Sequence, residues 1–351
     1  MAVDYARTAM QVAFSLEVKS PKIFEHIFLN NGCLAMFGSK SRVKVHSGGN
    51  RFDERVHLGQ NSNVDHRSKY AEIATNYQNN FLTAYYGQSV CSGSTPINMV
   101  DIDQNGGNKK LSDLSSELRD ELANTFANKV SDALEAESAG ETDPISIRET
   151  LEATAFGSQT STLGGISRAD HAGTDPTDAW QTRYSASGAD LSGSAGIGTA
   201  TRFLYTCSEG SAKNNMPDLI LTTNGVFAQA SGAADVLRRY TVNEKMIKFG
   251  HNNIMIGNAT LITDRNVPTG HMQYLNTNYA HVQVLGGPNT KKTGSVTVIG
   301  DGAVSVPVNI CKPVESDSFL VWVIKAYMTY NLTFGGLKYH GLLAGCAEAT
   351  E

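Results

Sequence analysis

The alternation of apolar and polar positions predicts a strand-rich segment near the start of the chain. Residues 41–49 and 51–59 alternate with a period of two, and residues 81–91 predict a third strand. The Gly48-Gly49-Asn50 stretch between the first two predicts a hairpin turn. Because residues 41–70 contain few apolar side chains, this hairpin needs a further surface beneath it. That surface belongs either to the rest of the chain or to a neighbouring copy.

The next pattern predicts one long amphipathic helix over residues 111–136. Its apolar positions recur three and four residues apart: Leu111, Leu114, Leu118, Leu122, Phe126, Val130, Ala133 and Leu134. At about 1.5 Å per residue the helix would be roughly 40 Å long. Asn108 or Ser112 is suited to cap its start. A helix of this length suggests a spine rather than a small packing element.

The second half of the chain mixes strands and helices. Residues 185–198 are rich in Gly, Ser and Ala and predict a flexible surface loop. A buried strand begins at 217 and a helix follows at 225–240, then several short strands between 253 and 310. Residues 318–334 are rich in β-branched and aromatic side chains and predict a long strand or a pair of strands. The chain therefore has the pattern of an α+β protein.

Composition and net charge reduce the number of functions that the chain could have. The chain has 351 residues, 40% of them hydrophobic and 18% charged, which is typical of an ordered protein whose lightly charged surface is partly covered by partners. With 34 acidic and 29 basic residues the net charge is −5, which disfavours tight binding to DNA phosphates but not enclosure of DNA. The short basic runs at 40–44, 238–239 and 291–292 are predicted to be solvated.

The cysteine pattern and the N-terminal residues indicate the cellular compartment of the protein. The five cysteines are odd in number, widely spaced and without a CxxC pair: Cys33, Cys91, Cys207, Cys311 and Cys346. This pattern predicts neither a zinc site nor a disulfide framework, and it fits a reducing cytoplasm. We also expect no signal peptide and no transmembrane span, since the first residues lack a basic stretch and a continuous apolar run.

One segment partly matches a calcium-binding loop. Asp101, Asp103 and Asn105 occupy the first, third and fifth positions, and Gly106 the sixth. The twelfth position, which should carry a bidentate glutamate, is Ser112, and two lysines lie within the loop. A polar turn ahead of the long helix is therefore favoured over a metal site.

No catalytic or cofactor motif is present. The sequence contains no Walker loop, GxGxxG, HExxH or GxSxG pattern, and no two histidines are four residues apart. His66 next to Asp65 is interpreted as a surface pair, and His171 lies in a Gly- and Pro-containing loop without a nearby nucleophile. Catalytic groups need rigid placement, which this pattern does not offer. We expect no catalytic residue, no cofactor and no metal.

Four motifs in a fixed order carry a family resemblance. They are Gly164-Gly165-Ile166 with Arg168 and Trp180; the strand beginning Pro217-Asp218; Asp264, Pro268, Gly270, Leu275, Asn276 and Tyr279; and Tyr330-Asn331-Leu332 with Lys338 and Gly341 to Gly345. In this order they resemble the major capsid proteins of tailed bacteriophages, which have the HK97-type shell fold. The resemblance covers the chain from about residue 40 onward. Asn331 stands where that family usually has glycine.

The resemblance implies a domain layout. Residues 1–40 would be the N-terminal arm and 41–98 the extended E-loop. A peripheral domain would comprise 99–205 and 305–351 and contain the spine helix, about 111–136. The axial domain would comprise 206–304.

The resemblance also implies a function. Copies of the chain would form pentamers and hexamers of an icosahedral or prolate phage head, assembled in the cytoplasm of a host bacterium, that encloses double-stranded DNA. The expected partners are further copies, a separate scaffolding protein, a portal, a decoration protein in some heads, and packaged DNA without sequence-specific contacts. Two alternatives stay open: an encapsulin-like cellular compartment, and an α+β enzyme with an unrecognised site.

Overall fold

The structure is a computed structural model. It describes residues 32–40, 42–59, 61, 63–77, 80–98, 121–122, 124–126, 128–137, 142–171, 180–208, 215–237, 253–286, 297–298, 302–303, 309–310, 314–315 and 321–348. In chain order the described helices are Gly32–Ser39 (α1), 121–134 without 123 and 127 (α2), Ile147–Thr150 (α3), Ser194–Ser208 (α4) and Asn224–Leu237 (α5), with a 3-10 turn at Leu337–Tyr339. The strands are Val43–His46 (β1), Phe52–His57 (β2), Phe81–Tyr86 (β3), Ser89–Asn98 (β4), Thr162–Leu163 (β5), Ile166–Ser167 (β6), Arg183–Ser185 (β7), Leu219–Thr222 (β8), Asn253–Ile256 (β9), Ala259–Thr263 (β10), His271–Leu275 (β11), Ala280–Leu285 (β12), Thr297–Val298 (β13), Gly302–Ala303 (β14), Asn309–Ile310 (β15), Val314–Glu315 (β16), Val321–Phe334 (β17) and Gly341–Ala344 (β18).

One six-stranded mixed sheet has the order β7-β18-β11-β8-β10-β9. Every residue of β8 is buried, as expected for a strand in the middle of a sheet that is covered on both faces. The predicted strand after Pro217 and the helix that follows it are confirmed as β8 and α5. This sheet packs with α4 around its own apolar cluster, which includes Phe203, Leu204 and Tyr274.

A second six-stranded sheet is organised around β17. The first ten residues of β17 pair with β4, and its last five pair with β12. The predicted long strand is thereby confirmed. Helix α2 lies on one face of this sheet: a Cβ at Gly93 of β4 would come within 2.8 Å of Phe126 and 3.0 Å of Leu122. Glycine at this position lets the helix approach the strand closely.

The predicted spine helix is confirmed where the structure describes it. Leu122, Phe126, Val130 and Leu134 recur on one face of α2 and are all buried. Residues 111–120, the first part of the prediction, lie outside the described residues.

The predicted hairpin turn at residues 48–50 is wrong. β1 runs parallel to β12, with Val43 opposite Val282, whereas β2 pairs with β3, with Phe52 opposite Tyr86. Residues 48–50 therefore carry the chain from one sheet to a separate two-stranded hairpin. The connection within that hairpin runs from residue 58 to residue 80.

Two other sequence interpretations need correction. The basic run at 40–44 is not simply solvated, because Lys40 binds Asp218 and Lys44 binds Glu54 at 2.9 Å. The Gly/Ser/Ala-rich stretch ends in a helix, since α4 begins at Ser194. The apolar spacing of its buried face drives this helix, and Gly196 lets the preceding loop pass against it, because a Cβ there would lie 1.7 Å from the carbonyl oxygen of Asp190.

Candidate functional site

The most exposed apolar side chains of the described structure lie in the connection between β2 and β3. We call residues 58–80 the extension loop. Val64 is 80% exposed, Tyr70 90%, Ile73 73% and Tyr77 92%. Isolated exposed apolar residues are ordinary, but four large ones within one loop make this loop a candidate contact surface. The hairpin strands differ from the loop, because Phe52, Val56, Ala84 and Tyr86 bury one face of the hairpin in the main core.

A small hairpin of β5 and β6 holds the base of the extension loop. Its turn is made by Gly164 and Gly165, with φ values of +60° and +75° that glycine adopts without strain. The backbone N–H of Tyr85 in β3 donates to the carbonyl oxygen of Gly164 at 2.8 Å. A Cβ at Gly164 would lie 2.8 Å from the Cβ of Ala84. The first motif of the sequence therefore fixes strand β3.

Arg168 and Trp180 are buried beside this hairpin and support it through hydrogen bonds. The Arg168 guanidinium is 1% exposed and donates to the Gln159 side chain at 3.0 Å and to the carbonyl oxygen of Thr150 at 2.9 Å. The Trp180 indole is fully buried, and its Nε1–H donates to the carbonyl oxygen of Leu163 at 3.2 Å. Burial lowers the pKa of Arg168. Both side chains are therefore structural supports of the turn, not solvent-facing groups.

The hairpin is also tied to the long strand. The Tyr86 hydroxyl donates to the carbonyl oxygen of Phe334 at 2.7 Å, and the backbone N–H of Phe334 donates back to that hydroxyl at 3.2 Å. Glu54 of β2 accepts hydrogen bonds from Lys44 at 2.9 Å and from Gln283 of β12 at 3.0 Å. The loop is thus carried by an anchored base.

Asp218, in the second motif, joins three parts of the chain. It accepts two hydrogen bonds from Thr277, one from the backbone N–H at 2.9 Å and one from the hydroxyl at 2.6 Å. It also binds Lys40, directly after α1. Pro217 precedes it and is buried, and Asp218 begins the approach to β8. The carboxylate therefore fixes α1 against the first sheet.

The third motif forms the turn between β11 and β12. The Asn276 side chain accepts from the backbone N–H of Asn278 at 3.0 Å, and the backbone N–H of Asn276 donates to Nδ1 of His340 at 3.2 Å. Burial lowers the pKa of His340 to about 3, which keeps this ring neutral as an acceptor. Tyr279 stacks on Tyr339 with ring centres 4.5 Å apart.

Asp264, Pro268 and Gly270 shape the connection between β10 and β11. Asp264 accepts from the backbone N–H of Asn266 at 3.0 Å. Gly270 has a φ of +70°, and its N–H donates to the Glu348 carboxylate at 2.7 Å. The N–H of Cys346 donates to the carbonyl oxygen of Gly270 at 2.9 Å. This motif therefore attaches the last described residues to the first sheet.

Two residues of the C-terminal motif have packing roles. A Cβ at Gly341 would lie 2.5 Å from the Cys207 sulfur, so glycine lets α4 pack directly on β18. Asn331, which stands where the family usually has glycine, accepts from the backbone N–H of Ile145 at 2.9 Å and donates to the carbonyl oxygen of Gly87 at 2.6 Å. The side chain thus satisfies backbone groups of two neighbouring connections.

Sequence reasoning missed the junction between α2 and the first sheet. Glu135 follows α2, is 5% exposed and accepts from the Gln273 side chain of β11 at 2.8 Å. Burial, with a smaller contribution from Asp264, raises the pKa of Glu135 to about 8. Beside it, Asp132 binds Arg265 at 3.2 Å. A glutamate at the end of an amphipathic helix gives no sequence signal that it is buried.

The predicted calcium candidate, Asp101, Asp103 and Asn105, lies outside the described residues. Within the described ranges, no three His, Cys, Asp or Glu side chains come together in a way that could hold a metal ion. The four cysteines that the structure describes are unpaired thiols. Among the helices it describes, none is long and apolar enough to span a bilayer.

Comparisons with solved structures identify the fold. Over 90% of this chain and 93% of the other, the structure is similar to the chain of the cyanophage A-1(L) capsid asymmetric unit, with 16% identity and a TM-score of 0.59. It is also similar to the capsid of an empty GTA particle, over 88% of this chain and 89% of the other, with 11% identity and a TM-score of 0.52. No protein-family model matches the chain, and neither does any curated protein sequence.

The chain therefore has the HK97-type capsid fold, an α+β arrangement, and the predicted fold class is confirmed. Its similarity to phage capsids agrees with the resemblance seen in the sequence motifs. At such low identity the similarity establishes the fold.

Proposed function

We propose that this chain is the major shell protein of a phage head and that its extension loop contacts neighbouring copies. The observation that carries the proposal is the set of four large apolar side chains, each more than 70% exposed, on a loop whose base is rigidly held. A loop that served no contact would not need Gly164, Tyr86 and Glu54 to fix its direction. The capsid fold supports the same conclusion.

The assembly we propose consists of pentamers and hexamers closed into an icosahedral or prolate head. Obligate interfaces commonly bury about 2,000 Å² or more. Each contact between copies can still be weak, because closure of a ring or shell makes the later contacts effectively intramolecular. Residues 1–40 would supply an arm that ends in α1, which is buried in the main apolar cluster, and 41–98 would supply the E-loop, whose flanking strands β1 and β4 belong to the second sheet. Residues 99–205 with 305–351 would form the peripheral domain and 206–304 the axial domain.

The same proposal covers what the shell encloses and which other proteins take part in its assembly. Double-stranded DNA would be enclosed without sequence-specific contacts, which suits a chain with a net charge of −5. A separate scaffolding protein, a portal and in some heads a decoration protein would take part, and assembly would occur in the host cytoplasm. The role would be structural rather than catalytic.

Negative-stain microscopy of the purified chain, alone and with a scaffolding protein expressed beside it, tests the proposal. We expect shells, or rings of five and six copies. Shells purified from cells lysed after DNA packaging should contain DNA; shells filled instead with a cellular enzyme would favour the compartment alternative. A chain that stays monomeric at millimolar concentration in both preparations would contradict the proposal.

A further inference from the structure

Strand β2 has one open edge. The N–H of Leu58 donates to the carbonyl oxygen of Asn80 at 2.9 Å, on the β3 side of the hairpin. In an antiparallel pair the backbone groups of alternate residues point toward the partner and away from it. Val56 and Glu54 therefore face β3, whereas Arg55 and His57 direct their N–H and C=O groups away from it. Within the described residues, no backbone partner occupies that outer side.

The open edge borders a cleft. The cleft is lined by residues 54–58 of the hairpin, by the stacked rings of Tyr279 and Tyr339, and by Trp180. The volume is about 360 Å³, near the lower end of the range for binding pockets. A strand edge beside an apolar wall has the two features that β-strand addition requires: backbone groups to pair with and a surface to receive side chains.

The charges around the cleft favour an acidic side chain. His281 lines it, is 8% exposed and has a buried Nδ1 without a hydrogen-bond partner. Burial, together with the positive charges of Lys44 and Arg42, lowers the pKa of His281 to about 4. The one carboxylate on the wall, Glu54, is already neutralised by Lys44 at 2.9 Å. Arg55 and Lys338 also line the cleft, so its wall carries more positive than negative charge.

We propose that the open edge of β2 receives residues 70–77 of a second copy of this chain as an added strand. The proposal rests on the proposed shell function and names the partner surface of the extension loop. Among the described residues, the backbone N–H groups of Ile73, Ala74 and Thr75 make no backbone hydrogen bond, and these residues belong to no helix or strand. Ile73 and Tyr77 lie on one face of the added strand and supply side chains for the aromatic wall, whereas Glu72 lies on the opposite face.

The occupant comes from another copy because each subunit keeps its own segment in solvent. Tyr70 is 90% exposed and Tyr77 is 92% exposed on the same chain whose cleft is described above. Repeated around a ring, one such contact per subunit links every copy to the next. The exposed loop of one copy and the open edge of β2 in the next copy would therefore be the two sides of one contact.

A cysteine scan tests the pairing. His57→Cys is co-expressed with single variants that carry cysteine at one position from 71 to 75, and disulfide dimers are read on non-reducing gels. Because side chains of a strand alternate between its two faces, we expect dimers at alternate positions only. Wild type gives the background from the native thiols. Thr199→Cys, on the exposed face of α4, replaces His57→Cys as the matched control.

Three outcomes overturn the proposal: no dimers, dimers at every position of the scan, or equal dimers with the α4 control. Microscopy of the same samples separates this result from the shell function. Shells without the alternating dimers overturn only the strand pairing, whereas the absence of both shells and dimers overturns both proposals.

Two substitutions of Arg55 provide a second test of the strand pairing. Arg55→Pro removes an N–H that points into the cleft, whereas Arg55→Gln removes the charge and keeps that N–H. We expect the proline variant to raise the concentration needed for assembly on the order of ten-fold, since the lost bond recurs in every subunit. The glutamine variant should assemble nearly as wild type. Equal behaviour of the two variants would contradict the pairing.

Discussion

Individual buried polar side chains connect the elements of this protein. Arg168 is almost fully buried and Asp218 is partly buried, and each has several hydrogen-bond partners. Glu135 is also buried, and one of its carboxylate oxygens has no hydrogen-bond partner. A carboxyl group in such a place is more stable with its proton, which is the physical reason for its raised pKa. The contact between α2 and β11 is therefore sensitive to pH.

Glu135→Gln should reduce the fall in stability at alkaline pH. The pKa of Glu135 is about 8 in the folded chain and near 4.5 in the unfolded chain, so its stabilising contribution is complete below pH 4.5. That contribution decreases as the pH rises, by about 1.4 kcal/mol per unit until pH 8. Between pH 6.5 and 8.5 the variant should lose about 2 kcal/mol less than wild type.

Urea denaturation at pH 6.5 and pH 8.5 measures this difference. Cys33, Asp264 and Arg148 also act on Glu135, and they are present in both proteins, so the comparison isolates the carboxyl group. Exposed Glu121→Gln on the same helix is the matched control and should leave the pH dependence unchanged. Parallel pH curves for wild type and Glu135→Gln would show that Glu135 is ionised in the folded chain.

At the scale of elements, the hairpin of β5 and β6 determines where the extension loop points. Its two glycines have left-handed backbone angles, and Gly164 lies against Ala84. The contact leaves no space for a methyl group. The direction of β3 therefore depends on an element of only two residues per strand.

Gly164→Ala should destabilise the subunit and disturb the hairpin. The left-handed backbone costs about 1–2 kcal/mol for a residue with a Cβ, and the methyl group against Ala84 adds about 1–3 kcal/mol of overpacking. Gly157→Ala is the matched control, because Gly157 also has a positive φ, +91°, but has open space around it. Thermal unfolding of both variants measures the difference. Equal losses would mean that Gly164 does not hold β3 closely.

The elements also show what the sequence could predict. The period of Leu122, Phe126 and Val130 predicted α2, and the β-branched run predicted β17, because each pattern reflects burial on one face or on both. The partner of each strand was not predictable in this way. β1 joins β12, about 240 residues away, and nothing local in β1 specifies that pairing. Residues 48–50 do change the direction of the chain, as their sequence predicted. They connect two different sheets, however, instead of closing a hairpin.

At the candidate site, the sequence motifs predicted residues that hold the fold together, but they did not predict the exposed side chains of the extension loop. Gly164, Asp218 and Gly270 have backbone angles or multiple hydrogen bonds that restrict the residue type, so a resemblance can find them. Tyr70 and Tyr77 meet no such restriction within one subunit, since both are almost fully exposed there. The open edge of β2 depends on a strand register, which only the structure gives.

At the scale of the whole molecule, the described residues combine well-packed sheets and helices with one loop whose apolar side chains are exposed. The two main clusters of apolar side chains are enclosed by the sheets and helices of the subunit. The extension loop has its apolar side chains in solvent, so a single copy gains little stability from them. Assembly should therefore depend on this loop far more strongly than folding does.

Replacing residues 61–77 with a Gly/Ser chain of the same length should separate folding from assembly. Because Val64, Tyr70, Ile73 and Tyr77 are almost fully exposed, we expect unfolding free energy to change by less than about 1 kcal/mol. Shells or rings should be lost, since equal length preserves the reach of the loop but removes its contacts. Circular dichroism with thermal unfolding, and negative-stain microscopy of the same samples, give the two readouts. A control with only the exposed Asp65 and His66 changed to serine should still assemble, because it keeps every apolar side chain and the hydrogen bonds of Asn61 and Asn63 within the loop. Normal shells from the Gly/Ser chain would place the contacts between copies elsewhere on the molecule.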